Sequence, residues 1–250
     1  MRAMSTRTPS FAARLGALLA VLVAFAAVAA AVALSFEGGA ATAPGAAPEA
    51  ALPRARLGPT APTERPTVYP AVRYRDSSAL GLPHAGRLVR GTQLPERGPH
   101  FQTWDPIFKT MPNREWRRWG TAELVRMVMR VQRRYAATEP GERPMLVGDL
   151  SRTHGGDFGP AFGIIGHSTH QNGLDADVYY PRKDGRRGVP KVAGEVDRRL
   201  AQRLVDLFVE AGAETVLVGP NVALGGPPDV VKPYPNHDNH LHVRIPNPDS

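Results

Sequence analysis

The segment HLHVRI, residues 240–245, decides how this chain is read. Apolar and polar residues alternate in it, which is the period of a half-buried β-strand. Leu241, Val243 and Ile245 then face one side, and His240, His242 and Arg244 the other. The apolar side anchors the strand to a core. The other side holds two imidazoles over one space, roughly 7 Å apart at the backbone, because a strand rises ~3.3 Å per residue. His237 lies just before the strand, in the turn PNHDN, residues 235–239.

A second segment has a matching shape. LDADVYY, residues 174–180, also alternates, with Asp175, Asp177 and Tyr179 on one face and Leu174, Ala176, Val178 and Tyr180 on the other. Gly173 permits a tight approach before it, and His167 and His170 sit in the preceding loop GHSTH, residues 166–170. Five of the eight histidines therefore fall in two short segments. If the two strands are neighbours, His170, Asp177 and His242 converge on one cation. Two neutral imidazoles and a carboxylate suit a zinc ion (Zn2+) with an open position for water, whose pKa such an ion lowers to ~7. His240, on the same strand face as His242, is then placed to accept a proton or to stabilise an oxyanion. Asp175 reads more naturally as a residue that orients a ligand, or as a turn residue, than as a ligand itself. Spacing alone leaves two alternatives open, a hydrogen-bonded polar cluster and a purely structural metal.

The rest of the chain narrows the setting. There is no cysteine, so disulfides, thiolate nucleophiles and thiolate metal sites are excluded. A net charge of +8 favours anionic surroundings without choosing among nucleic acid, lipid and acidic polymers. No aromatic interleaving accompanies the arginine-rich stretch at residues 121–135, so a solvated helix face is expected there and nucleic acid is not an expected partner. Arg2, Arg7 and Arg14 precede an uncharged, mostly apolar run over residues 15–35. That pattern predicts a signal-anchor transmembrane helix, or a cleavable signal peptide, over residues 1–36, with the remainder exported to the periplasm or another extracytoplasmic space. Residues 37–67, rich in Ala, Pro and Gly, read as a disordered linker, and residues 68–250 as the folded domain. Within it, residues 121–135 and 195–212 carry helical periodicity, the first with Thr121 as its cap. Residues 144–151 and the run ETVLVGP, residues 214–220, read as strands. Helices and strands mix without regular alternation, so the class is α+β.

Together, GDLSRTHGG (149–156 with its preceding glycine), GHSTHQNGLDAD (166–177) and HDNHLHVRI (237–245) resemble the penicillin-insensitive murein endopeptidases. These lie within the wider group of lysostaphin-type, D-Ala-D-Ala carboxypeptidase and hedgehog-like (LAS) zinc folds. GRLVRGTQLP (86–95) and WGTAELV (119–125) are also similar to segments of that family. The resemblance implies His170, Asp177 and His242 as zinc ligands and His240 as the catalytic imidazole. His237 joins it at the catalytic centre, and His167 lines the site. It also implies a small antiparallel sheet carrying the metal, flanked by helices and long loops, and hydrolysis of peptidoglycan cross-links such as D-alanyl–diamino acid amides. The nearest rival is a D,D- or L,D-carboxypeptidase of the same fold, in which an arginine such as Arg152 or Arg244 would clamp a free carboxylate. A non-catalytic wall-binding domain is the remaining alternative. Two departures from the family pattern stand out: a short segment between Asp177 and His237, and no cysteines for disulfides.

Overall fold

A computed structural model describes residues 68–160 and 167–249. The expected anchor and linker, residues 1–67, lie outside the described residues. Among the described residues, no helix is long and apolar enough to cross a membrane.

The two strands read from the sequence are neighbours. β8 (Asp175–Tyr179) pairs antiparallel with β11 (His240–Arg244), in a register that sets His242 opposite Asp177, His240 opposite Tyr179 and Arg244 opposite Asp175. The alternation of β11 is kept: Leu241 and Val243 are fully buried and Ile245 almost so. Each such side chain contributes about 1.5–3 kcal/mol on leaving water, which is what holds the strand in register. β8 departs from half-burial, because all five of its residues are buried. Its polar face is covered by the site, not by solvent.

Around this pair the sheet is larger than expected. It has seven strands, in the order β10 (Val231–Pro233), β9 (Thr215–Val218), β11, β8, β7 (Met145–Val147), β5 (Phe101–Thr103) and β4 (Arg97–Gly98). It is mixed, which corrects the expectation of a small antiparallel sheet. β9–β11–β8–β7 are antiparallel throughout, but β5 pairs parallel with β7 and β10 parallel with β9. Parallel neighbours need a crossover. Between β5 and β7 that connection contains α1 (Ala122–Thr138). A hairpin of β1 (Ser78–Leu82) with β2 (Ala85–Val89), and a short pair of β3 (Thr92–Gln93) with β6 (Trp119–Gly120), complete the strands described.

α1 starts where Thr121 accepts a hydrogen bond from the Leu124 amide, at 3.2 Å. α2 (Arg198–Glu210) starts three residues later than the periodicity suggests, because the Asp197 carboxylate caps the Leu200 amide at 3.0 Å and fixes the first turn there. Both helices contribute to one core. Leu124, Val128 and Val131 of α1 and Leu200, Leu204 and Phe208 of α2 join Ala176, Val178, Leu241 and Val243 of the sheet. The arginines on the outer faces of the helices make surface ion pairs, such as Arg126 with Glu123 and Arg134 with Glu210. The helices therefore cover the apolar side of β8 and β11, and the histidines and aspartates stand on the opposite side. Gly173, just before β8, has a positive φ of 81°, and a Cβ there would meet a Leu88 methyl at 2.7 Å. Only glycine lets the loop enter the strand at this angle.

Candidate metal centre

The loop before β8 is fixed from two sides. His170 adopts a left-handed backbone with φ 69°, a conformation costly for a residue with a Cβ. Its amide donates to Asp175 Oδ2 at 3.1 Å, and its carbonyl accepts from the Ser151 hydroxyl. Ring and backbone are thus both held, since Nδ1 of His170 lies 2.5 Å from the Leu150 carbonyl. A carbonyl only accepts, so Nδ1 carries the proton and Nε2 presents a lone pair. On β11, His242 Nε2 lies 2.9 Å from Asp175 Oδ1, so in the neutral ring the proton is on Nε2 and the lone pair on Nδ1. Asp175 also accepts from Arg244 Nε at 2.7 Å.

These constraints aim three acceptors at one point. His170 Nε2 is 3.2 Å from His242 Nδ1 and 3.3 Å from Asp177 Oδ1, and His242 Nδ1 is 3.2 Å from the same oxygen. Three acceptors cannot satisfy one another; a cation, proton or metal, must sit among them. All three residues are buried. His167 stands beside them: ligand atoms of His167, His170 and Asp177 lie within 4.8 Å of one another, with His167 Nδ1 3.8 Å from Asp177 Oδ2. His240 flanks the other side, its Nε2 3.8 Å from Asp177 Oδ1. His237 comes in from its turn, its ring 4.8 Å from that of His240 and 6.0 Å from that of His242. The structure thus gathers all seven residues singled out in the two segments.

Electrostatics separates them. Burial opposes a charge on His242, but hydrogen bonds to Asp175 and Asp177 outweigh it and raise its pKa to about 9. Burial pulls His170 down, pulls His240 down to about 4, and lowers His237. Burial pushes Asp177 up, yet the imidazoles of His170, His240 and His167 hold it well below the usual carboxylate range. The site is a set of ionised carboxylates facing imidazoles, some of which resist protonation.

Sequence reasoning gave no role to one part of this centre. Asp149, fully buried, accepts from Arg117 Nε at 2.7 Å and Asn113 Nδ2 at 2.8 Å, and it binds His167 Nε2 at 2.7 Å. The Phe158 ring lies 4.9 Å from that of His167, tilted by 52° to it. The signals available were an acid two residues after the apolar run of β7 and its place in the segment GDLSRTHGG.

The sequence profile of the penicillin-insensitive murein endopeptidase family matches residues 79–212, more than half of the chain. The chain belongs to that family. The match takes in His167, His170, Asp175 and Asp177 and ends before β11. A penicillin-insensitive murein endopeptidase of Haemophilus influenzae is 25% identical over 195 residues, covering 68% of this chain. The chain spans about 63% of the length of that relative.

Proposed function

We propose that the chain is a zinc-dependent endopeptidase that cleaves peptide cross-links of peptidoglycan outside the cytoplasm. The observation that carries this reading is the triangle of His170 Nε2, Asp177 Oδ1 and His242 Nδ1, with edges of 3.2–3.3 Å. Ligands about 2.0–2.1 Å from a tetrahedral ion stand roughly 3.3 Å apart, so the donor set and its spacing fit zinc. His167 fits less well as a ligand, because its Nε2 is engaged by Asp149 and its Nδ1 stands farther off. His170, Asp177 and His242 would hold the ion, with Leu150 and Asp175 fixing the two imidazoles from behind. Zinc bound there supplies a Lewis acid and ionises water near neutral pH.

The chain's own residues supply the rest. His240, kept neutral by burial, is the proton acceptor for an attacking water and passes that proton towards the leaving amine. Asn239 Oδ1, 2.6 Å from His240 Nδ1, makes Nδ1 the protonated nitrogen and leaves Nε2 to act on the site side. His237 stacks against His240 and lines the cleft. No acyl-enzyme is required, so β-lactams, which trap a serine nucleophile, do not inhibit. Arg244 gives its Nε to Asp175, and Arg152 reaches the Asp157 carbonyl at 2.7 Å, which counts against either as a carboxylate clamp and so against the carboxypeptidase reading. The basic run-in and apolar segment at residues 1–36 support export with or without an anchor; a reporter fused after residue 67 that is active in the cytoplasm would rule this out.

The central test is a digest of purified peptidoglycan read by mass spectrometry. Cross-linked muropeptides should become monomers, chelation should stop this, and zinc should restore it. Loss of one terminal residue from monomers with dimers untouched would establish a carboxypeptidase instead.

A further inference from the structure

We infer that a cavity lined by Arg73, Arg75, Gln93 and Trp119, apart from the metal centre, binds a phosphate monoester. Its volume is about 330 Å³, at the lower end of the range for ligand pockets. Pro70, Ala71 and Pro95 complete its wall, and none of the histidines and aspartates of the metal centre takes part. The wall therefore carries two guanidiniums and no carboxylate.

The fold sets these groups side by side. Gln93 of β3 and Trp119 of β6 are register partners, so their side chains share one face. β6 is also tied to Ser151, whose carbonyl accepts from the Trp119 amide at 3.1 Å and whose amide donates to the Trp119 carbonyl at 2.7 Å. The Arg75 amide donates to Thr92 Oγ1 at 3.0 Å, which fixes the incoming chain beside β3. From there the Arg75 guanidinium lies 5.5 Å from the centre of the Trp119 ring, a cation–π contact. Arg73 lines the same cavity, whereas Tyr74 between the two arginines meets Arg126, whose guanidinium is 4.7 Å from its ring. Alternate residues thus serve opposite sides of the segment, and both arginines serve the cavity.

The charges there are available. Arg73 has no hydrogen bond or ion pair among the described residues. The acids nearest in sequence turn to other arginines, Asp76 to Arg90 and Glu96 to Arg97 at 3.8 Å. Trp119 Nε1 is buried and meets no acceptor among the described residues, and a native fold rarely leaves such an N–H unpaired. An oxyanion entering between Arg75 and the indole supplies that acceptor. A carboxylate would match one guanidinium and leave the other uncompensated. A phosphate monoester carries about −1.5 to −2 near pH 7 and three acceptor oxygens, which suits two arginine forks and two N–H donors. Phosphate fills only part of the space, so the rest takes the alcohol to which it is esterified.

The test follows the indole N–H signals of the three tryptophans in full-length protein labelled with nitrogen-15. The Trp119 signal is identified by its loss in Trp119→Phe. At pH about 7.5, where phosphate is mostly dianionic, inorganic phosphate and glycerol 3-phosphate should each shift it saturably, the ester binding at least as tightly. Arg73→Ala and Arg75→Ala should each weaken binding about 10-fold or more. Arg133→Ala removes the same charge from an exposed position on α1 and should change binding by less than about twofold. Equal weakening by Arg133→Ala would reduce the effect to overall charge and overturn the inference. So would an unmoved Trp119 signal, or acetate binding as tightly as phosphate. Binding of inorganic phosphate without glycerol 3-phosphate would overturn the assignment to a monoester. Vesicles of phosphatidylcholine with and without phosphatidic acid identify the carrier. Sedimentation that depends on both phosphatidic acid and Arg73 supports the site and places the ester on a lipid. Its absence, with glycerol 3-phosphate bound, supports the site and places the ester on a soluble molecule or wall polymer. None of these readouts uses zinc or peptidoglycan cleavage, so failure of the proposed function would leave them standing.

Discussion

Zinc binding to the metal-free protein should release close to one proton per ion between pH 6.5 and 7.0, and that proton should come from His242. Burial works against charge on this imidazole, but Asp175 and Asp177 overcome it and bring the pKa to about 9. His170 is lowered, chiefly by burial, and Asp177 is held ionised, so neither carries a proton to lose in this range. The sign follows from linkage. A raised pKa means that protonated His242 stabilises the metal-free fold fully below the ordinary value near 6.5, and that this stabilisation fades as pH rises through about 9. Zinc needs the Nδ1 lone pair and so competes with that proton. The two-unit gap between about 9 and pH 7 weakens zinc binding by ~2.7 kcal/mol, roughly 100-fold, at about 1.36 kcal/mol per unit. Calorimetric titration in buffers of different ionisation enthalpy counts the protons directly. A site water with a pKa of ~7 adds about half a proton at pH 7.0 and about a quarter at pH 6.5, so the lower pH gives the cleaner count. The apparent Kd should fall roughly threefold from pH 6.5 to 7.0, one proton's worth of linkage. Asp175→Asn, which removes the carboxylate on Nε2, should bring the count below one. A count near zero for the wild type would refute the reasoning, because His242 would then be neutral when empty; a count near two would mean that a second imidazole, His167 or His170, is charged as well.

Three further outcomes follow from the same geometry. His240→Ala should lower kcat on muropeptide dimers by about 100- to 10,000-fold while the protein still binds one zinc, measured by product release and metal analysis; parental kcat in a zinc-loaded variant would remove His240 from the chemistry. Burial raises Asp149, but hydrogen bonds from Arg117 and His167 prevail and bring its pKa down to about 2, so its contribution is present above pH ~4 and lost as pH falls through about 2. Between pH 5 and pH 2.5, urea unfolding should show a loss of stability that is smaller in Asp149→Asn than in the wild type by up to about 2 kcal/mol, the remainder coming from groups such as Asp175 and Asp177. Leu241→Ala opens a cavity beneath β11 and should cost about 2–5 kcal/mol by denaturant titration, with zinc affinity falling as the strand loosens.

How much of this could be read from residues alone depends on the range of the interaction. β11 and β8 were legible because a strand writes its burial with period two, and one buried face fixes the register for every side chain on it. His242 could be placed opposite Asp177 only in conditional form, since alternation says which residues share a face but not which strands are neighbours. The outer sheet was illegible for a different reason. β3, β4 and β6 have two residues each, too few for any period, and the parallel pairing of β5 with β7 is set by a crossover through α1. The left-handed backbone of His170 has no local cause either; it is imposed by Asp175 and Ser151. Asp149 makes the point most sharply. Its partners Asn113 and Arg117 lie 36 and 32 residues away, and the third, His167, lies 18 away in the opposite direction. An acid at the end of an apolar strand is, in one dimension, indistinguishable from a turn residue at its exit. Only when the chain folds an arginine, an amide and an imidazole onto it does burial become affordable, and only then does Asp149 meet His167.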